Sequence, residues 1–186
     1  MAEAHHRRKD PEAVRANLLA AAADLLCEGS PLSMAAVADA AGVTKGAVQH
    51  HFGTREALLA AMCETYVAQF QALLQAESAQ EAGPGAEARS YVRAVVRSAS
   101  READGGGAVA ILAASVIERS CAARWAQFVA ESRTKDVVPG SNELIMRLAV
   151  DGLWLSDLLG IYEISPQERA ALQQALLQLS GATPAP

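Results

Sequence analysis

The feature that most constrains this chain is a succession of helical apolar patterns, each bounded by a capping residue or a glycine. The first pattern follows Asp10-Pro11, where aspartate is a favoured N-cap and proline costs nothing at the first helical position. Apolar residues then recur with a helical period up to Gly29. No segment shows the alternation of apolar and polar residues that is typical of a half-buried strand. Because helix-favouring alanine and leucine dominate the composition, we expect an all-α protein of about nine helices.

Three short helices are predicted before the first long one. Ser33 is expected to cap the second helix, and Thr44 the third, which runs to about His51. The chain breaks at Gly53-Thr54, and the next apolar pattern then continues over residues 55–79. This long helix is expected to link two parts of the protein.

The remainder of the chain continues the helical pattern after a glycine-rich break. Further helices are predicted at about 86–102, at 108–120, up to about 136 after a bend, from Ser141 to Gly160, and after the capping box Ser165-Pro166-Gln167-Glu168. We therefore expect one domain over residues 1–54, ordered from about residue 10, and a second, helical domain over residues 55–186.

The residues around position 42 are typical of a helix-turn-helix unit. Such a unit needs a small residue where its helices come closest, and Ala38 supplies it. Its turn needs a residue that tolerates left-handed geometry, and Gly42 meets this need. Val37, Val43 and Val48 are placed to hold both helices on the first helix.

An uninterrupted segment without acidic residues extends from Ala40 to Arg55, although the whole chain carries a formal charge of −5. Carboxylates there would repel phosphates, which supply most of the binding energy in protein–DNA complexes. Gly46 costs about 1 kcal/mol inside a helix, which indicates close approach by another backbone. The predicted exposed face of the third helix comprises Thr44, Lys45, Ala47, Gln49, His50 and His51.

Lys45 offers a cation to phosphate, and Gln49 and the imidazoles offer hydrogen-bonding groups to base edges or backbone oxygens. Thr54 and the N–H groups that begin the long helix form a second phosphate seat, with Arg55 beside it. The sequence leaves open which of His50 and His51 faces DNA.

Two other interpretations concern the histidines and the N-terminus. Adjacent histidines on a helix point about 100° apart, so His50 and His51 are poorly placed to chelate a metal. No metal site and no cofactor are predicted. The basic segment "HHRRK" at residues 5–9 is either a solvated tail or an arm that reaches DNA.

The segment "LSMAAVADAAGVTKGAVQHHFGTREALLAAM" resembles the DNA-binding region of the TetR (tetracycline-repressor) family of transcriptional regulators. The match spans roughly residues 10–70, and the Gly-x-Val-x-x-His-Phe and Thr-Arg-Glu-x-Leu portions are its most specific parts. The resemblance implies an all-helical homodimer whose first three helices bind DNA and whose remainder holds an effector pocket. It also implies the DNA-contact candidates Ser33, Thr44, Lys45, Gln49, His50, His51 and Arg55.

Two departures from the family pattern fall on this segment. The family usually has tyrosine where Gln49 stands and lysine where Arg55 stands. Arginine preserves a phosphate ligand, whereas glutamine removes an aromatic backbone contact. The second half of the chain resembles the family only in helix count and in its two closing helices.

Several residues of the second half are candidates for an effector pocket or for the core. The pocket candidates are Tyr91, Ile111, Trp125, Phe128, Asp151 and Trp154. Asp151 and Asp157 interrupt an apolar helix, so each needs either a partner or solvent. Arginines recur every four residues at Arg89, Arg93, Arg97 and Arg101, which favours a solvated face with ion pairs over an anion-binding surface.

The three cysteines are far apart in the sequence. Their odd number and wide spacing predict neither a disulfide framework nor a zinc site. Cys121 is expected to fill the core, with oxidant sensing as the alternative. The first residues lack the apolar core of a signal peptide, and no apolar run has the length of a membrane span, so a reducing cytoplasm and no membrane partner are expected.

These features together predict a ligand-responsive transcriptional repressor that a small molecule releases from a palindromic operator in double-stranded DNA. A homodimer would place two recognition helices in successive major grooves, about 34–36 Å apart. The predicted dimer contacts are Leu148, Gly152, Leu155, Leu172, Leu176 and Leu179. A helical protein–protein adaptor is the main alternative. A helical enzyme is disfavoured because the second half contains no histidine and no paired-carboxylate constellation.

Overall fold

The computed structural model describes residues 10–99, 107–135 and 141–180. Within these ranges it consists of nine α-helices and contains no strand. The helices are α1 (Pro11–Cys27), α2 (Met34–Ala40), α3 (Lys45–Phe52), α4 (Arg55–Ser78), α5 (Ala86–Ala99), α6 (Gly107–Ile117), α7 (Arg119–Arg133), α8 (Ser141–Leu159) and α9 (Pro166–Leu179). The expected all-α architecture is confirmed, whereas the basic segment at residues 5–9 lies outside the described residues.

The helices begin where the sequence places capping residues. The Asp10 carboxylate accepts a hydrogen bond from the Glu12 N–H at 3.0 Å, and the Ser33 hydroxyl accepts one from the Ala36 N–H at 3.1 Å. At the start of α9, Ser165 and Glu168 satisfy each other's backbone N–H groups in a capping box. The bend expected within residues 108–136 is a single residue between α6 and α7. Local capping chemistry therefore sets most of the boundaries.

Helix α4 is the central element of the core. It packs against α1 and α3 of the first part of the chain and against α5, α6 and α7 of the second. Its buried side chains extend over its length, from Leu58, Leu59 and Met62 near the start to Phe70 and Leu74 near the end. Among the described helices it is the one that is long and apolar enough to cross a membrane, but 44% of its most apolar window is buried inside the protein. That burial identifies α4 as a core helix that joins the two halves.

Two of the three cysteines form a disulfide, which corrects the expectation from their spacing. Cys63 on α4 and Cys121 on α7 are 58 residues apart in the chain, yet their Cα atoms lie 5.9 Å apart. Both side chains are almost fully buried. Sequence spacing missed the pair because α4 and α7 meet only when the chain has folded. Cys27, at the end of α1, is exposed and takes no part in the bond.

The arginine stripe on α5 forms ion pairs with the end of α4 and the residues that follow it. Arg93 Nε lies 2.9 Å from a carboxylate oxygen of Glu81, and Arg97 Nη1 lies 2.6 Å from one of Glu77. These two arginines fit the expected half-solvated face with ion pairs. Arg101, at the end of the predicted stripe, lies outside the described residues.

Arg89 departs from this pattern because its side chain is buried. Its guanidinium donates to the Glu81 carboxylate at 2.7 Å, to the carbonyls of Ala82 and Pro84 at 2.8 Å, and to the Ser180 hydroxyl at 3.2 Å. It therefore ties the connection between α4 and α5 to the end of α9. One of the two positive-φ glycines of that connection, Gly85, lies so close that an added Cβ would approach the Arg89 guanidinium to 3.2 Å.

We expect Arg89→Ala to lower the free energy of unfolding by about 3 kcal/mol, because it leaves buried acceptors without their charged donor. Arg93→Ala is the matched control on the same helix. Its side chain is 41% exposed and its partner Glu81 keeps the ion pair with Arg89, so the Arg93 ion pair is expected to contribute less than about 1 kcal/mol. Urea unfolding of both variants measures the difference. Equal losses for the two variants would contradict the structural role of the buried Arg89 side chain.

Candidate functional site

The first three helices form a compact head around a tight turn. Gly42, at φ +65°, occupies the left-handed conformation that the turn requires. The N–H of Val43 donates to the Ala38 carbonyl at 2.9 Å, which closes the end of α2. Ala38 and Val48 are buried, and α2 packs directly on α3. The left-handed turn at Gly42 is thus confirmed, and Ala38 and Val48 are buried, as a small residue and a packing valine at these positions require.

The outer face of α3 presents polar and basic groups to solvent. Thr44, Lys45, Gln49 and His50 are exposed, whereas Ala47 is half-buried. The opposite face is buried through Val48 and Phe52. Four of the six residues predicted for the outward face are therefore exposed, Ala47 and His51 are half-buried, and the face carries no carboxylate.

The structure distinguishes the two adjacent histidines. His50 is exposed, while His51 is half-buried with its ring centroid 6.2 Å from that of Phe52. The two imidazole centroids are 5.7 Å apart and their planes are nearly perpendicular. His50 is therefore the more accessible of the pair, and His51 packs partly against the head.

Gly46 is exposed in the first turn of α3, and its surroundings are open. A Cβ added there would meet only the Thr44 hydroxyl oxygen, at 3.8 Å. No backbone of the described protein therefore approaches this glycine. The close approach inferred from the sequence does not occur within the protomer.

Two threonines begin the helices that border this face. The Thr44 hydroxyl accepts from the Ala47 N–H at 3.2 Å, and the Thr54 hydroxyl accepts from the Ala57 N–H at 3.1 Å. Both hydroxyls thus satisfy one first-turn donor each. The other first-turn N–H groups of each helix are the ones that can bind an anion. Ser33, which caps α2, is exposed as well.

Arg55 has a bracing role that the sequence did not reveal. Its Nε donates to the Leu32 carbonyl at 3.0 Å, and the side chain is half-buried. This bond ties the start of α4 to the segment that precedes α2. Arg55 thereby helps to hold α4 against the start of α2, in addition to any contact made by its terminal nitrogens.

Two further contacts fix α3 and the turn against α1. The Arg15 guanidinium carbon lies 4.6 Å from the centre of the Phe52 ring, within the range of a cation–π interaction. The Asn17 side chain donates to the Ala41 carbonyl at 3.1 Å. The sequence offered no signal for either contact, because each joins positions more than twenty residues apart.

The second half of the chain contains an aromatic cluster centred on Phe70 of α4. Its ring centroid lies 5.7 Å from those of Tyr91 and Phe128, 5.6 Å from that of Trp125 and 5.2 Å from that of Trp154. Four of the predicted pocket residues are thus brought together around Phe70, which was not itself predicted as a pocket residue. The Ile111 side chain lies outside the described part of the structure.

A polar network borders this cluster. The Tyr91 hydroxyl donates to the Asp151 carboxylate at 2.7 Å, and the Arg147 guanidinium lies 4.6 Å from the centre of the Tyr91 ring. Arg147 also donates to the Ser132 hydroxyl at 3.2 Å. Asp151 therefore has the partner that its place in an apolar helix required.

The pKa values in this network reflect its burial. Burial raises the pKa of the Asp151 carboxyl, although the hydrogen bond from Tyr91 and the charge of Arg147 act in the opposite direction. Burial, and then the neighbouring Asp151 charge, raises the pKa of the Tyr91 hydroxyl well above its ordinary value. The hydroxyl consequently keeps its proton and remains a donor. Asp157 is paired differently, with Arg169 at 2.6 Å.

One buried polar atom in the cluster lacks a partner. Among the described residues, the indole N–H of Trp154 meets no hydrogen-bond acceptor, although the side chain is only 1% exposed. Leaving a buried donor unsatisfied costs about 1–3 kcal/mol. An acceptor that reached this N–H would recover that cost.

A cleft of about 350 Å³ opens beside the cluster, between α4, α5 and α7. Among the predicted pocket residues whose side chains are described, Phe128 alone lines it, and Tyr91, Trp125, Asp151 and Trp154 do not. The cleft is lined by Gln71, Leu74, Gln75, Ser78, Ala79, Glu87, Phe128, Glu131, Ser132 and Lys135.

The last two helices expose an apolar surface, but not through every predicted residue. Leu148, Leu155 and Leu179 are 61%, 46% and 39% exposed. Leu172 is half-buried and Gly152 is exposed with open space around it. Leu176 is 4% exposed because it packs into the protomer's own core, so its prediction as a dimer contact was wrong.

Further exposed apolar residues, missed from the sequence, enlarge this surface. They are Leu144, Ile145, Leu159, Ile161 and Tyr162.

Comparison with known proteins matches both halves of the chain to one family. Residues 18–62 match the model described as bacterial regulatory proteins of the tetR family, and residues 85–181 match the model of the tetracyclin repressor-like C-terminal domain. No curated protein matches the chain.

Solved structures share the fold at low sequence identity. A transcriptional regulator from Rhodococcus sp. Rha1 is 23% identical with a TM-score of 0.66, over 96% of this chain and 100% of the other. A TetR-family member from Streptomyces coelicolor A3 is 19% identical with a TM-score of 0.64, over 90% and 98%. The multidrug binding protein EbrR, complexed with malachite green, is 22% identical with a TM-score of 0.65, over 89% and 97%. With family models matched in both halves, the chain belongs to the TetR family of transcriptional regulators.

Proposed function

We propose that this protein is a repressor that binds a palindromic operator in double-stranded DNA as a homodimer and leaves it when a small molecule binds. Residues 1–54 form the DNA-binding domain, and residues 55–186 form the effector-binding and dimerisation domain. The protein acts in the cytoplasm, where the chromosome lies. The observation that carries the proposal is the exposed, carboxylate-free face of α3 on a chain of net charge −5.

The roles of the α3 face follow from exposure and chemistry. Lys45 contacts phosphate, and Gln49 and His50 reach base edges in the major groove. His51 is half-buried, so it positions Phe52 and α3 and contacts at most the DNA backbone. Gly46 lets the duplex approach α3 closely.

The borders of this face bind the DNA backbone. The N-termini of α3 and α4, capped by Thr44 and Thr54, offer N–H groups to phosphates. Ser33 at the start of α2 adds a hydroxyl. The terminal nitrogens of Arg55 add charge, while its Nε braces the head.

Dimerisation uses the apolar surface of α8 and α9. Eight large apolar side chains of this surface are at least 39% exposed in the protomer, a patch that water disfavours. They are Leu144, Ile145, Leu148, Leu155, Leu159, Ile161, Tyr162 and Leu179. Gly152 allows the partner's helix to approach closely, and Leu172 contributes its exposed part. A two-fold axis through this surface presents two heads to one palindrome.

The effector binds at the aromatic cluster and enters through the cleft beside Phe128. EbrR, which shares the fold, is a multidrug binding protein seen with malachite green. Flat apolar rings suit the cluster of Phe70, Trp125 and Trp154, and the unsatisfied Trp154 N–H calls for a hydrogen-bond acceptor on the ligand. Since these residues already pack closely, binding must open the cluster. Phe70 belongs to α4, so the opening moves the helix that carries the head.

We expect Lys45→Ala to weaken binding to every duplex and to reduce the slope of log affinity against log salt by about 0.9, because one phosphate contact is lost. The probe is an inverted-repeat duplex selected from a random pool with the purified protein. Lys135→Ala removes an exposed lysine from the turn that follows α7 and serves as the matched control, with unchanged affinity and slope. An unchanged slope for Lys45→Ala would remove Lys45 from the interface.

Gly46→Ala should separate stability from binding. Because space at Gly46 is open, alanine should raise the free energy of unfolding by up to about 1 kcal/mol. The added methyl group would stand between α3 and the duplex, and we expect affinity to fall at least about tenfold. Thermal unfolding and binding to the selected duplex measure the two effects. Improved stability with undiminished affinity would show that DNA does not approach this glycine.

Leu148→Glu should convert the dimer into monomers, because it places a charge in the centre of the apolar surface of α8 and α9. Sedimentation equilibrium measures the dissociation constant. Val116→Glu introduces the same charge at the end of α6, on a side chain that is 83% exposed, and should leave the dimer intact. A dimer that survives Leu148→Glu would place the interface elsewhere.

A further inference from the structure

The Cys63–Cys121 disulfide joins the helix that carries the head to the helix that carries part of the aromatic cluster. Cys63 lies about two turns into α4, close to the head, and Cys121 lies in the first turn of α7. Trp125 of the cluster follows Cys121 by one turn. The bond thus lies between the DNA-binding face and the effector site.

We propose that Cys63 and Cys121 form a reversible redox switch through which an oxidant weakens DNA binding; this inference rests on the proposed function. A protein that binds chromosomal DNA works in a reducing compartment. Disulfides there are usually transient and catalytic or redox-sensing. A cysteine pair held at bonding distance in such a protein therefore indicates a sensor more than a permanent cross-link.

The surroundings accommodate the reduced form as well as the oxidised one. The Cys121 sulfur lies 3.7 Å from the carbonyl oxygen of Leu59, so a Cys121 thiol has an acceptor in place. Both sulfurs are enclosed by α4 and α7, with side chains 1–2% exposed. Neither form leaves a charged or unsatisfied group in the core, which is what a two-state element requires.

Bond formation changes how α4 is held. Reduced sulfurs remain at van der Waals separation, whereas a disulfide brings them to about 2 Å. Closing this gap draws α4 towards α7 at a point two turns from the start of α4. The start of α4 is joined to the head through Arg55 and Leu32. The cross-link adds no DNA contact, but it removes the freedom with which the two heads adjust to the groove spacing, and affinity falls.

The oxidant is hydrogen peroxide, which is small enough to reach buried sulfur when the helices open transiently. One thiolate attacks a peroxide oxygen and forms a sulfenic acid while the O–O bond breaks and, with one proton, water leaves. The second thiolate then attacks the sulfenic sulfur, and the hydroxyl leaves with a proton as a second water. Two thiols and one peroxide thus give one disulfide and two waters. A dithiol restores both thiols by exchange.

Cys27 is a suitable control for this chemistry. It is exposed and outside the disulfide, at the end of α1. Its substitution leaves both sulfurs of the proposed switch in place. Cys27→Ser should therefore leave the redox response intact.

The test compares the full-length protein after treatment with dithiothreitol and after treatment with hydrogen peroxide followed by removal of the reagent. We expect the oxidised form to bind the selected duplex at least about tenfold more weakly, and dithiothreitol to restore binding. Cys63→Ala and Cys121→Ala should keep the reduced affinity after peroxide. Equal or tighter binding by the oxidised parent, or a loss of affinity that persists in both variants, would overturn the switch.

Hydrogen exchange without DNA separates this inference from the proposed function. In the parent protein, reduction should speed amide exchange in α3 and in the first turns of α4. Identical exchange there in the two redox forms overturns the switch, whatever the binding result. If neither form binds any duplex, the proposed function fails. The exchange data then still show whether the disulfide affects α3 and the first turns of α4. If the reduced form binds and the oxidised form binds equally, the switch fails and the proposed function stands.

Discussion

The burial of α4 against both halves of the protein is the constraint on which the rest of the structure depends. Leu58, Leu59 and Met62 are fully buried near its start, and Phe70 lies at the centre of the aromatic cluster near its end. One helix therefore runs through a core that is continuous from the head to the later helices. Any shift of α4 that is favourable in the body of the protein (α5–α9) must be transmitted to the head (α1–α3), because close-packed cores do not deform continuously.

The distribution of charge complements this mechanical arrangement. The head presents Lys45 on a surface without carboxylates, while the body uses its acidic residues in ion pairs such as those of Glu77 and Glu81 with α5. A chain of net negative charge is thereby able to offer one face to a polyanion and keep the remainder repelled from it. In the proposed complex, that asymmetry sets the orientation of the protein on DNA.

The body is held together by buried polar contacts as well as by apolar packing. Arg89 joins the connection after α4 to the end of α9, and Tyr91 joins α5 to Asp151 of α8. Such contacts specify one arrangement of the helices, because leaving a buried partner unsatisfied costs more than the bond itself contributes. The unsatisfied N–H of Trp154 is an exception, and it lies where the effector is proposed to bind.

The sequence by itself determined the helices and the head, because capping at Ser33, Thr44 and Ser165 and the turn at Gly42 are local effects that neighbouring residues decide. It also identified the outward face of α3, since an absence of carboxylates is readable without coordinates. Tertiary structure alone decided the burial of Arg89 and Leu176, the central place of Phe70 and the pairing of Cys63 with Cys121. Each of these depends on which helices meet. Helical periodicity shows that a face is apolar, but not which of several apolar faces it packs against.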